Sequence, residues 1–326
     1  MLVIEISAFG PPEMLRPAER DTPVPGPGEV LIAVEAAGVS RVDILQRQGK
    51  YPPPPGASDI PGLDCAGSIA AVGPNVSRWK SGDRVCALVA GGAYAEFCVA
   101  PDPQVLPIPQ GWTSIEAATL PENLFTVYDN LVTRARLAQD ETVLIHGGAS
   151  GIGSMASMLA RAVGAVPIAT AGSDEKCAAC RGFGAAEAIN YKTADFVAAV
   201  LRFTGGRGVD VVLDIVGASY LGRNLDALAT DGRLVFLAPQ SGSRASFDIV
   251  KLMQKRGAML GSTLRVRTPR EKGAIAERLL RDVWPLLPAK NPIRPAVDST
   301  FPLREAWRAH ERLERGLHTG KIVLVV

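Results

Sequence analysis

Thr142-Val143-Leu144-Ile145-His146-Gly147-Gly148-Ala149-Ser150-Gly151-Ile152-Gly153 is an apolar strand that runs into a glycine-rich turn and opens a helix of small residues. Such a turn lets the backbone approach a pyrophosphate, which sits on the free N–H groups and positive dipole end of the helix. The continuation supplies the rest of a βαβ unit: Met155 to Val163 reads as the helix, Gly164 as its stop, and Val166 to Ala169 as a second buried strand. The expected pyrophosphate contacts are Ser150, Gly151, Ile152 and Gly153. Ser150 stands where the ideal pattern has its second glycine, and its hydroxyl is expected to offer the phosphates a hydrogen bond in compensation.

The end of the second strand decides which cofactor enters. NAD enzymes place an Asp or Glu there to hold the ribose hydroxyls, whereas this chain reads Thr170-Ala171-Gly172-Ser173. An acid would repel a 2′-phosphate. Its absence, with Ser173, Lys176 and Tyr191 close behind, points to NADPH. The competing reading makes Ser173 the cap of a helix beginning at Asp174 and Lys176 a solvated surface lysine. Asp174 and Glu175 nearby blur the charge argument.

Outward from this core, 326 residues with 47% hydrophobic content are enough for two domains. A net charge of +2, with Lys and Arg scattered, gives no reason to expect nucleic acid or another polyanion as partner. No apolar run approaches bilayer-spanning length, so no membrane association is expected. Five cysteines, Cys65, Cys86, Cys98, Cys177 and Cys180, lack a disulfide rhythm and fit a reducing compartment; the expected location is the cytoplasm. The Cys177-Ala178-Ala179-Cys180 pair has no second pair and no nearby histidine, and it reads as part of a helix.

The first hundred or so residues have another texture. Short strands at Val30 to Ala36, Ser68 to Val72, Asp83 to Leu88 and Ala95 to Val99 alternate with Gly and Pro turns, including the rigid loop Tyr51-Pro52-Pro53-Pro54-Pro55-Gly56. From about Asn123 to Leu264 helices and strands alternate. Further strands are expected at Ala188 to Asn190, Val209 to Ile215, Leu234 to Leu237 and Met259 to Ser262, which with the first two make six parallel strands. A charged helix, Arg304 to Arg315, precedes a terminal strand, Gly320 to Val326, expected to pair with the β-rich module because a bare apolar edge would aggregate.

Several separated motifs carry a family resemblance over the whole chain: Pro27-Gly28-Glu29-Val30-Leu31, Ala37-Gly38-Val39-Ser40-Arg41-Val42-Asp43, Gln48-Gly49-Lys50-Tyr51-Pro52, Val72-Gly73, Gly82-Asp83-Arg84-Val85, Gly92-Ala93-Tyr94-Ala95-Glu96, Asn190-Tyr191-Lys192 and Thr319-Gly320-Lys321-Ile322-Val323. The sequence resembles the medium-chain dehydrogenase/reductase superfamily. Within it, the match is to the quinone oxidoreductase branch typified by zeta-crystallin, nearest in texture to the tumour-suppressor-inducible NADPH quinone oxidoreductases. The resemblance implies an α/β chain: a GroES-like β-rich catalytic domain over 1–122 and 265–326, and a six-stranded doubly wound Rossmann domain over 123–264. It also implies NADPH in a cleft and a homodimer.

Zinc-dependent relatives place Cys where Ser40 stands and His where Leu63 stands, before the acidic residue, here Asp64; Glu122 lies near the third ligand position. Asp64 and Glu122 offer hard oxygens without imidazole or thiolate, so the expectation is a zinc-independent enzyme. Without a Lewis acid to stabilise an alkoxide, hydride transfer is expected to go to a quinone, which delocalises the incoming charge onto oxygen. By resemblance, Tyr51, Arg41 and Asn123 face the hydride-bearing carbon, with Tyr51 placed to bind the cofactor or to donate a hydrogen bond or proton. The remaining cofactor contacts implied are Thr126, Val127, Val216, Gly217, Phe236, Leu237, Ser262, Thr263, Leu264 and Lys321. His146 reads as a strand-end residue bonding locally, and His310 and His318 as residues of the charged tail. Two alternatives stay open: an NADPH-dependent enoyl or alkenal double-bond reductase, for which the small-molecule substrate is an enone, and a non-catalytic NADPH-binding sensor or structural protein.

Overall fold

The structure, a computed structural model, describes residues 1–287, 293–294 and 296–326. The chain divides into two compact units: one holds Met1–Phe125 and most of the described residues from Leu264 onward, the other Thr126–Thr263. In chain order the strands are β1 (Leu2–Ile6), β2 (Leu15–Glu19), β3 (Glu29–Val39), β4 (Asp64–Val72), β5 (Arg84–Leu88), β6 (Phe97–Pro101), β7 (Val105–Pro107), β8 (Thr142–His146), β9 (Val166–Ala171), β10 (Glu187–Asn190), β11 (Val209–Asp214), β12 (Leu228–Phe236), β13 (Ala258–Gly261), β14 (Val297–Pro302) and β15 (Lys321–Val325).

The second unit is built on six parallel strands in the order β10-β9-β8-β11-β12-β13. Counted from β8, this is the 3-2-1-4-5-6 order of a doubly wound dinucleotide fold. Central strands must be apolar on both faces, and Val143, Leu144, Ile145, Val211, Val212 and Leu213 are all fully buried. All six expected strands are present. β12 begins earlier than Leu234, because Leu228 already pairs with Val209 ahead of a register shift. One element had no periodic signal: Tyr128–Arg134 winds as a wide π-helix, in which Ala135 N–H donates to the Asn130 carbonyl.

In the first unit a seven-stranded sheet runs β14-β15-β3-β4-β5-β7, with β6 also pairing β3, and β1 pairs β2 separately. The eleven-residue β3 is the organiser. The terminal strand returns to it, with Ile322 opposite Val39 and Val325 opposite Ala36 in antiparallel register. Val30, Ile32, Ile69, Val85, Val105, Ile322 and Leu324 form the core between these strands. Each such side chain contributes roughly 1.5–3 kcal/mol over leaving it exposed. Among the described residues no helix is long and apolar enough to cross a membrane.

His310 departs from the sequence expectation. It is fully buried on the helix Ala306–Glu314, because that helix turns its apolar stripe inward and His310 falls on the stripe. Its ring Nδ1 lies 3.4 Å from Arg47 Nη1 and its Nε2 lies 3.1 Å from Tyr94 Oη, while Tyr94 Oη donates to Asp43 Oδ2 at 3.2 Å. Only one tautomer satisfies every donor: Nδ1 accepts from Arg47, and Nε2–H donates to Tyr94. Burial and then the neighbouring Arg47 push the imidazole pKa down to about 3, whereas burial pushes the Asp43 carboxyl up to about 6.

His146, in the second unit, is also buried and neutral. It bonds Thr170 Oγ1 at 3.0 Å and Asn224 Oδ1 at 2.8 Å, the local bonding expected of it, and burial lowers its pKa to about 4. A depressed folded-state pKa means that stability is intact above the unfolded value near 6.5 and is lost as pH falls from there toward about 4. Between pH 7 and pH 5 this one group is expected to remove about 2 kcal/mol. Urea melts of the protein and of His146→Asn at both pH values test it: the variant's drop should be smaller by that amount, and equal drops would refute the assignment.

Candidate functional site

The carboxyl ends of the six parallel strands lie on one edge, and every second-unit residue expected at the cofactor, apart from Thr126 and Val127, ends one of these strands or lies in the helix or loop that follows it. After β8, Gly147 takes φ +67°, and Gly153 opens the helix Gly151–Ala162 so tightly that a Cβ on it would stand 2.3 Å from the Gly147 carbonyl oxygen. The N–H groups of Gly151 and Ile152 precede the intrahelical ladder and point out of the helix end. This cradle fits a pyrophosphate.

Ser150 corrects the sequence reading. Its hydroxyl donates to the Gly147 carbonyl at 2.8 Å and accepts from Gly153 N–H at 3.0 Å, so it caps the helix and has no proton left for a phosphate.

After β9, Ser173 likewise caps the next helix, accepting from Lys176 N–H at 3.3 Å. The two acids that blurred the charge argument are engaged: Asp174 accepts from Asn190 Nδ2 at 2.8 Å, and the Ser173 hydroxyl holds the exposed Glu175 carboxyl below its ordinary pKa. Tyr191 lays its phenol oxygen 2.7 Å from where a Gly172 Cβ would stand, which brings it beside Ser173. After β11, buried Asp214 accepts from Val216 N–H at 2.6 Å and Gly217 N–H at 3.1 Å, and Asn224 links it to His146. A polar spine of Thr170, His146, Asn224 and Asp214 therefore pins the loop that presents Val216 and Gly217. Phe236 ends β12, and Leu237 N–H donates to the Asp214 carbonyl. After β13, Ser262 donates to Asn130 Oδ1 at 2.8 Å, with Thr263 following. Thr126 and Val127 close the helix Pro121–Val127, where Val127 is fully buried.

In the first unit Arg41 is exposed at the start of the helix Arg41–Arg47, and Tyr51 is half-buried with its ring 5.7 Å from the Arg265 guanidinium carbon. Asn123 is buried and donates to the Thr119 carbonyl at 3.0 Å. No hydrogen bond joins Tyr51, Arg41 and Asn123 to one another among the described residues. Leu264 is the first residue of the chain's return to this unit.

Lys321 opens β15 with its ammonium buried, 2.7 Å from Ser40 Oγ, 2.8 Å from Asp64 Oδ2 and 3.5 Å from Glu122 Oε2. Asp64 Oδ1 also takes the Glu122 N–H at 2.5 Å. The strands explain the meeting: β4 and β15 flank β3, with Asp64 and Val323 both opposite Gly38. Gly38 is obligatory, because a Cβ there would reach within 2.9 Å of the Asp64 carboxylate and 2.6 Å of the Ala118 carbonyl. Burial works against the Lys321 charge, but Asp64 and Glu122 outweigh it and hold its pKa above the ordinary lysine value. Burial raises the Glu122 carboxyl against the pull of Lys321. Sequence reasoning marked each of these residues singly and missed the cluster; opposite charges at the starts of two apolar strands were the available signal.

A doubly wound unit with a dinucleotide cradle, in one chain with a β-rich unit, defines an oxidoreductase of the Rossmann class. Residues 26–110 match the family model described as alcohol dehydrogenase GroES-like domain, and 151–279 the one described as zinc-binding dehydrogenase. The chain is 34% identical to a mouse quinone oxidoreductase over 100% of its own length and 98% of that protein's. It is also 34% identical to a Pseudomonas aeruginosa quinone oxidoreductase, over 99% and 98%. The structure of Escherichia coli quinone oxidoreductase complexed with NADPH superimposes with TM-score 0.84 at 30% identity, covering 100% of both chains. The chain belongs to the medium-chain dehydrogenase/reductase superfamily, in its quinone oxidoreductase branch.

One family description implies zinc, and the residues present do not fit it. Leu63 has no donor atom, Ser40 offers a hydroxyl, and the space among Ser40, Asp64 and Glu122 is taken by an ammonium. Among the described residues no group of three or more His, Cys, Asp or Glu side chains is arranged to hold a metal ion.

Proposed function

We propose that this enzyme is a zinc-independent, NADPH-dependent quinone reductase. The observation that carries the reading is the Lys321 centre: the position that would offer a Lewis acid holds a fixed ammonium, already paired with Asp64 and Glu122. An alkoxide-forming reaction has no partner there, whereas a quinone spreads the incoming charge over its own oxygens. NADPH, when bound, supplies the hydride.

The chain's residues then bind and orient. The N–H groups of Gly151 and Ile152 take the pyrophosphate, and Ser173, Lys176 and Tyr191 surround the 2′-phosphate. Val216, Gly217, Phe236, Leu237, Ser262, Thr263 and Leu264 shape the nicotinamide end, with Thr126 and Val127. Tyr51 donates a hydrogen bond, or a proton, to the acceptor oxygen, with Arg41 and Asn123 as further acceptor-side residues. Hydride addition to the quinone gives the hydroquinone monoanion, and one proton, from the phenol or from solvent, completes the hydroquinone; a phenol that gives its proton regains one from solvent.

The assembly we propose is a homodimer formed at β13. That strand is one of the two edges of the six-stranded sheet, and Ile249, Val250 and Met253 on the helix Ile249–Gln254 that precedes it in the chain are 64%, 58% and 68% exposed.

Turnover of ortho-quinones, para-quinones and enoyl thioesters with NADPH, before and after chelation, tests the reaction. Quinone reduction that survives chelation is expected, and dominant enoyl-thioester turnover would overturn it. Lys176→Glu is expected to weaken NADPH binding by about tenfold to a hundredfold while NADH binding changes little, because a charge-assisted bond to phosphate becomes a repulsion. Equal losses measured by fluorescence titration would remove Lys176 from phosphate recognition.

A further inference from the structure

The first unit contains a recess of about 600 Å³ that shares no lining residue with the Lys321 centre or with Tyr51, Arg41 and Asn123. Its volume is that of a small-molecule site. Pro54, Pro55 and Val89 give it apolar walls, and two cations, Arg265 and Lys272, give it a charged end.

Both cations are almost wholly buried, 6% and 3% exposed, and their hydrogen bonds go to neutral acceptors, with Asp43 acting on Arg265 and Glu271 on Lys272 only through their fields. Arg265 donates to the Ala90 carbonyl at 2.8 Å, to Gln46 Oε1 at 2.6 Å and to the Tyr51 carbonyl at 3.5 Å. Lys272 donates once, to the Arg265 carbonyl at 3.0 Å. An ammonium has three protons to donate and a guanidinium five, so at least two on each remain for a further acceptor. Neither cation forms an ion pair among the described residues, a costly arrangement for buried charge. Burial, followed by Arg265 and Arg267, pushes the Lys272 pKa down to about 8, the direction expected of a cation waiting for a counter-charge.

The other charges of the recess do not fill that need. Glu29 turns its carboxylate to the Gly26 N–H at 2.9 Å, and Arg20 is held by Glu5 and Asp59. Asp21 also lines the recess but pairs with neither buried cation. The same end receives the start of the helix Pro269–Asp282, whose dipole adds positive potential.

We propose that this recess binds a small organic anion, a carboxylate or phosphate monoester with an apolar body, whose head group is received by Lys272 and Arg265. The apolar walls take the body, and the two cations with their remaining donors take the head.

Calorimetric titration of the full chain, saturated with NADPH to keep the dinucleotide cradle occupied, tests this at fixed ionic strength with octanoate and with inorganic phosphate. Saturable binding of at least one is expected, and which one binds distinguishes carboxylate from phosphate heads. Lys272→Met should weaken it by about tenfold or more, and Lys272→Arg should retain it within about threefold. Melting gives a second readout: without anion, Lys272→Met should melt no lower than the unmodified protein, since it removes an uncompensated buried charge, and it should lose the anion-induced rise in Tm. Absence of saturable binding by both probes, unchanged affinity in Lys272→Met, or a lower Tm of that variant without anion would each overturn the proposal.

Discussion

Replacing Lys321 with methionine is expected to lower the unfolding free energy by about 3–5 kcal/mol, among the largest effects of any single substitution in this chain. Methionine matches the lysine stem in length, so little packing is lost. What remains is a fully buried Asp64 beside Glu122, itself 16% exposed, with no cation between them. Two carboxylates sharing a dry site cannot both stay ionised, and Glu122, already raised by burial, would rise further and take up a proton. Two readouts follow. The urea midpoint should fall sharply at pH 7 and recover in part as pH is lowered, because protonation relieves the pair. Adding Asp64→Asn to Lys321→Met should restore stability, since it removes one of the stranded charges. A single-variant loss under about 1 kcal/mol would mean that Lys321 is not what neutralises this centre.

The second large effect concerns the dinucleotide cradle. Gly153→Ala should weaken NADPH binding by roughly a hundredfold, equivalent to about 3 kcal/mol. The added Cβ would sit 2.3 Å from the Gly147 carbonyl oxygen and 2.6 Å from Gly148 Cα, backbone atoms that cannot step aside without opening the turn. Opening it breaks the Ser150 cap, which bonds both Gly147 and Gly153, and misdirects the helix N–H groups that receive the pyrophosphate. Gly182→Ala is the control: a Cβ there meets nothing within 4 Å, and alanine favours the helix by up to about 1 kcal/mol. Fluorescence titration with NADPH compares the two. If Gly153→Ala binds like the unmodified protein while folding normally, the cofactor does not rest on this turn.

Much of the second unit was legible in the chain because its determinants are local. Strand β8, the Gly147–Gly153 turn and the helix after it are contiguous in sequence, and each remaining parallel strand is an apolar run closed by a turn. What local reading misjudged was how hydroxyls and charges are used. The Ser150 hydroxyl, expected at the phosphates, gives its proton to the Gly147 carbonyl while its oxygen caps the helix, because an N-terminal turn offers orphan N–H groups to the nearest acceptor. His310 was placed among charged residues by its neighbours in sequence, and the inward stripe of its helix buried it against Tyr94.

The amino-acid sequence by itself determined the two textures, the six parallel strands and the glycine cradle, since hydrophobic period and backbone permissiveness act over a few residues. Tertiary structure alone decided that Lys321 should meet Ser40, Asp64 and Glu122, and that Arg47, His310, Tyr94 and Asp43 should form one chain. Those partners are separated by up to 281 residues, the span from Ser40 to Lys321. The pairing of β4 and β15 on either side of β3 brings Asp64 and Lys321 together, and exclusion of water makes their charges consequential.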